Sequence, residues 1–89
     1  MAKQVGTFVV EDAFRITGRG WVLTGVVSGS ALAGNELAFP NGVFLRITGV
    51  ELINMHRLDK AGLLISDQFA SRQEVLDQQI IGATALILE

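Results

Sequence analysis

FRITGRGWVLTGVVSG, residues 14–29, decides between two readings of the whole chain. Gly18-Arg19-Gly20 is either the start of a phosphate-binding loop or the reversal of a β-hairpin. A dinucleotide fingerprint requires a third glycine at position 23, followed by a helix whose N-terminus meets the phosphate. Position 23 is Leu23, and the residues around it, Trp21-Val22-Leu23-Thr24, are β-formers. The stretch therefore reads as two strands joined by a turn, with glycine supplying the positive φ that such a reversal demands.

The same logic extends outward. GTFVVEDAFRIT, residues 6–17, alternates Phe8, Val10, Phe14 and Ile16 against Glu11, Arg15 and Thr17. That period of two predicts a strand with one buried face. Asp12 falls on the apolar parity, so a bulge or bend is expected there. Glu11 and Asp12, as neighbours on a strand, are expected on opposite faces. ELAFP and GVFLRITGVELI form a second hairpin through Pro40-Asn41-Gly42. AGLLIS is a fifth strand and IIGATALIL, residues 80–88, a sixth. Ser71-Arg72-Gln73-Glu74 has capping-box spacing and predicts a helical turn over about residues 71–78. Short strands divided by glycines, with one helical turn, predict an all-β fold: a small closed antiparallel barrel of six or seven strands.

Eighty-nine residues form one domain, residues 1–89, and 49% hydrophobic composition supplies its core. There is no cysteine, which removes disulfides, thiolate nucleophiles and cysteine metal ligands. The amino-terminal apolar run is too short for a secretion signal, and the longest apolar stretch, IIGATALIL, is far below a membrane span. A cytoplasmic protein without membrane partners is expected. Net charge is -2, and six of the seven basic residues lie before residue 67, leaving the last quarter acidic. A nucleic-acid binder usually carries a basic excess, so bulk charge gives no support to that class.

Catalytic motifs fail on their chemistry. Gly29 and Gly34 have P-loop spacing, but Asn35 and Glu36 stand where lysine and a hydroxyl residue are required, so no nucleoside triphosphate is expected. His56 is the single histidine and has only Asn54 and Asp59 nearby in sequence, which reads as an exposed loop residue. No serine lies in a nucleophile elbow. Trp21 could stack on a base, but in a barrel this small it is expected to plug one end. The expectation is a non-enzyme, with no cofactor, no metal and no catalytic residue.

VEDAFRITGRGWVLTGVVSGSALAGNELAF, residues 10–39, resembles the second domain, a six-stranded β-barrel, of translational GTPases such as elongation factor Tu. The matching residues are Glu11, Asp12, Phe14, Ile16, Gly18, Arg19, Gly20, Thr24, Gly25, Gly34 and Glu36. RITGVE, AGLLI and SRQEVLDQQIIGA extend the likeness over nearly the whole chain. The family's GTPase domain and P-loop are absent, and the loop between Glu51 and Gly62 is shorter, so an isolated barrel is expected. In that family the domain helps to hold the aminoacylated 3′ end of transfer RNA. The resemblance carries this pocket onto Glu11, Asp12, Ile16, Arg19, Val22, Glu51 and Leu64. It implies an apolar pair around a terminal adenine and a carboxylate at its polar edge.

Two functions follow. WVLTGVV, VFLRI and IIGATALIL carry apolar residues on both parities, so some face outward once the core is filled. Large apolar patches on a monomer are unusual, and a self-associating, non-catalytic interaction module, a homo-oligomer with room for a protein partner, is the first expectation. The alternative is an RNA-binding or ribosome-associated accessory, with Arg15, Arg19 and Arg46 on phosphates and Trp21 or Ile16 against a base.

Overall fold

In a computed structural model, which describes residues 3–52, 60–67 and 69–89, the chain is an all-β protein with one short helix. The strands are β1 (Gln4–Ile16), β2 (Gly20–Gly29), β3 (Glu36–Ala38), β4 (Phe44–Leu52), β5 (Lys60–Ile65) and β6 (Thr84–Leu88), with α1 (Arg72–Asp77) between β5 and β6. All neighbours pair antiparallel in the order β1-β2-β5-β4-β3-β6, and β6 returns to β1, so the sheet closes into a ring. Closure gives each of the six described strands a paired neighbour on both sides for at least part of its length.

The Gly18-Arg19-Gly20 stretch is a hairpin turn. Arg19 N–H donates to Ile16 O at 3.0 Å, and Gly18 and Gly20 have φ of 82° and 98°. The Gly29–Gly34 segment is also a reversal. Asn35, placed where a P-loop needs lysine, turns its side chain inward, and its Oδ1 accepts from Leu32 N–H at 2.9 Å. The β3–β4 hairpin forms as expected, with Gly42 N–H donating to Phe39 O at 3.0 Å.

β1 departs from strict alternation at the acidic pair. Val10 pairs with Gly25 but Asp12 pairs with Thr24, so Glu11 is the extra residue of a bulge. Phe8 and Val10 point into the ring before it; after it Ala13 is fully buried, while Phe14 is 44% exposed. This corrects the sequence expectation that Phe14 and Ile16 share the buried face of Phe8, since one inserted residue inverts the parity of all that follow. The bulge also exposes both Glu11 and Asp12, where opposite faces were expected. Gly25 is needed at this crossing, because a Cβ there would lie 1.8 Å from Val9 O.

Inside the ring, Phe8, Leu23, Leu37, Leu45, Ile47, Leu63 and Ile87 are fully buried or nearly so. Each such side chain contributes about 1.5–3 kcal/mol on leaving water. Residues 69–83 close one end. Ser71 caps α1, its Oγ accepting from Glu74 N–H at 3.3 Å, while Glu74 Oε2 accepts from Ala70 N–H at 2.8 Å. The cap presents Val75 to the core, and Phe69 and Ile80 join it. Trp21 plugs this end, 4% exposed, with Nε1 donating to Phe69 O at 2.9 Å and its ring edge-on to Phe69. The sixth strand is shorter than the apolar run predicts: residues 80–83 form a turn, and Gly82 N–H and Ala83 O brace the β1 bulge at Val10.

Candidate functional site

The residues carried over from the family resemblance converge on the outer face of β1, β2, β5 and β4. Trp21 and Leu23 point inward, so Val22 between them points outward. The register then sets two rows across this face. One runs Asp12, Thr24, Gly62, Glu51; the next runs Phe14, Val22, Leu64, Gly49. Ile16 follows one step further along β1, beside Gly20 and half-buried. Glu11 stands in the bulge.

Although Val22 and Leu64 face away from the core, they are only 3% and 7% exposed. Three features stand beside them. Phe14 lies alongside Val22 in the register. Gly49 has no side chain, so Leu64 packs over it; a Cβ on Gly49 would sit 3.0 Å from Leu64 Cδ1. Arg19, on the hairpin tip, bonds to Glu51 at 2.5 Å. To reach Glu51 from beyond Gly20, the arginine must cross the row that holds Val22 and Leu64.

The acidic pair is likewise engaged. Glu11 pairs with Lys60 and Asp12 with Arg72. Arg72 is forked across the bulge, donating to Asp12 Oδ1 at 2.8 Å and to Ala13 O at 2.5 Å. The hydrogen bond from Arg72, then that from Ala13 N–H, holds the Asp12 carboxyl below the ordinary aspartate range; slight desolvation opposes them and the charge of Arg72 adds to them. Sequence reasoning missed Lys60 and Arg72, because both lie about fifty or more residues from the acids they meet. Arg19, by contrast, was singled out on the turn it occupies.

On the opposite side, the outer face of β4, β3 and β6 carries the row Phe44, Ala38, Leu86, with Arg46, Glu36, Leu88 beside it. Phe44 is 59% exposed and Leu86 43%. Their signal in the sequence was apolar residues on both parities of VFLRI and IIGATALIL.

Among the described residues no group of three metal-ligating side chains gathers, and no helix is long and apolar enough to cross a membrane. A shallow, open depression lined by Gln4, Gly6, Thr7, Ser28 and Gly29 lies at the far end of the β1–β2 pair. His56, Asn54, Arg57 and Asp59 lie outside the described residues. Comparison with known protein families, with curated proteins and with solved structures returns no match.

Proposed function

We propose that this chain is a non-catalytic, self-associating interaction module, built on a barrel of the kind found as the second domain of translational GTPases. The observation that carries the reading is the exposure of Phe44 and Leu86, which flank Ala38 on the outer face of β4, β3 and β6. At this face β3 is paired on both sides, by β4 and by β6, so association here is through the side chains on its outside. The resemblance to the translation-factor domain is supported by where its motif falls. Gly18-Arg19-Gly20 turns the first hairpin, Thr24-Gly25 meets the bulge, and Gly49, Glu51, Gly62 and Leu64 stand on one face with Val22.

The carboxylates support a binding rather than a catalytic role. Glu11, Asp12, Glu36 and Glu51 each have a cation within ion-pair distance. Asp12, whose carboxyl the Arg72 hydrogen bond holds below its ordinary range, is a poor proton donor at neutral pH.

RNA binding is the weaker reading. Arg19 is paired with Glu51, and Trp21 is buried in the core, where no base can stack on it. Light scattering across a concentration series tests the proposal: the expected mass rises to a multiple of 9.6 kDa, and a constant 9.6 kDa at high micromolar concentration refutes it. Titration of labelled transfer RNA at low salt tests the alternative, for which binding that weakens as salt rises is the required result.

A further inference from the structure

We infer that two copies of this chain meet through the outer face of the β3–β4 hairpin, about a two-fold axis running along the strands between β3 and β4. This deepens the self-association reading above and rests on it.

A two-fold interface joins a surface to itself, so the surface must be self-complementary in shape and charge. The β3–β4 register has that property. Phe44 lies opposite Ala38, and Arg46 lies opposite Glu36. An axis between the two strands exchanges them, laying β4 of one copy over β3 of the other. Each Phe44 then covers the partner's Ala38, and each Arg46 covers the partner's Glu36. The largest exposed side chain of the face enters the hollow above its smallest, beside Leu86, which is the other neighbour of Ala38 in the register. Opposite charges meet twice.

The ion pair within one chain leaves room for this. Arg46 Nη2 and Glu36 Oε1 are 3.9 Å apart, beyond hydrogen-bond length, and the side chains are 60% and 46% exposed. Each can bond to a group on a second copy. The opposite face is less open: Phe14 is 44% exposed there, but Val22 and Leu64 beside it are covered and Arg19 is held by Glu51 at 2.5 Å.

The test is a set of variants of the full chain, read by light scattering and sedimentation. Wild type is expected to have twice the 9.6 kDa mass. Phe44→Glu should weaken self-association ~30-fold or more, whereas Phe14→Glu, on the other face, should leave it within about threefold. Glu36→Arg alone and Arg46→Glu alone should each give monomers, and mixing the two should restore dimers, because each clash becomes an attraction only in the mixed pair. That mixing result also answers any doubt that one variant is misfolded. A monomeric wild type refutes the self-association reading itself. A wild-type dimer that survives Phe44→Glu, or variants that fail to pair on mixing while wild type dimerises, refutes this face and leaves that reading standing.

Discussion

The two sides of the ring treat outward-facing apolar residues in opposite ways. On β1, β2, β5 and β4, Val22 and Leu64 are as buried as parts of the core, with Phe14 at the margin 44% exposed; on β4, β3 and β6, Phe44 is 59% exposed and Leu86 43%. Composition does not distinguish them, since both rows hold large apolar groups beside a small residue. The difference lies in what spans them. The first side carries two bulges, Val10/Asp12 and Ile47/Gly49, and a hairpin tip whose arginine reaches across the row. The second is built on a strand of three residues, with an ion pair alongside at 3.9 Å. Coverage is thus made by backbone irregularity and long polar side chains, while regular pairing leaves a face open.

The largest effect should come from removing the irregularity itself. Gly25→Ala places a methyl group 1.8 Å from Val9 O, so β1 and β2 must separate at the bulge that shapes the covered side. A loss of ~4 kcal/mol or more is expected, against the ~4–13 kcal/mol that a domain of this length holds. Circular dichroism in a urea series should show a sharply lowered midpoint; a near-normal midpoint would mean the bulge is not needed.

Next in size is a matched pair of truncations in dilute solution. Leu64→Ala should cost ~2–3 kcal/mol, near the lower end of core leucine truncations, since the residue faces outward but is covered. Leu86→Ala should stay within about 0.5 kcal/mol, as for open surface sites. Equal costs would dissolve the distinction between the two sides.

A smaller test separates the ion pairs. A double-mutant cycle on Arg19 and Glu51 should give a coupling of ~0.5–1 kcal/mol, while the cycle on Arg46 and Glu36 should give a value near zero in the monomer. Coupling that is no greater for Arg19 would leave the burial of Val22 and Leu64 to Phe14 and Gly49 alone.

What could be read from the sequence follows the same division. Features set by local chemistry were legible: the Gly18–Gly20 and Asn41-Gly42 reversals, the Ser71 cap, the Trp21 plug and the bulge at the acidic pair. The consequence of that bulge was not drawn from alternation, because a period of two carried past an inserted residue assigns Phe14 to the wrong face. Coverage was invisible for a different reason. Arg19 and Glu51 are far apart in sequence, as are Asp12 and Arg72, and only the pairing of β5 between β2 and β4 and the placing of α1 against β1 bring them together. Val22 and Leu64 were named through a family likeness, with no local signal that an outward residue would be buried.

The smallest effect concerns the Asp12–Arg72 pair, which ties α1 to the bulge and so couples the end cap to the covered side. The folded chain holds the Asp12 carboxyl below its ordinary value, and an unfolded chain returns it to about 3.9. The folded state therefore binds this proton less readily than the unfolded state. The stabilisation is complete above the unfolded value and declines as pH falls through it toward the folded one. Because Asp12 and Arg72 are each about half exposed, solvent and salt limit the whole effect to the surface-pair range of about 0–1 kcal/mol. Asp12→Asn should lower the urea midpoint slightly at pH 7 and flatten its fall below pH 4, with Arg72→Met doing the same. Raising salt should shrink the difference between wild type and variant. Parallel acid profiles for wild type and Asp12→Asn would mean that the fork of Arg72 is held by Ala13 O alone, and that the bulge binds the helix through its backbone rather than through its charge.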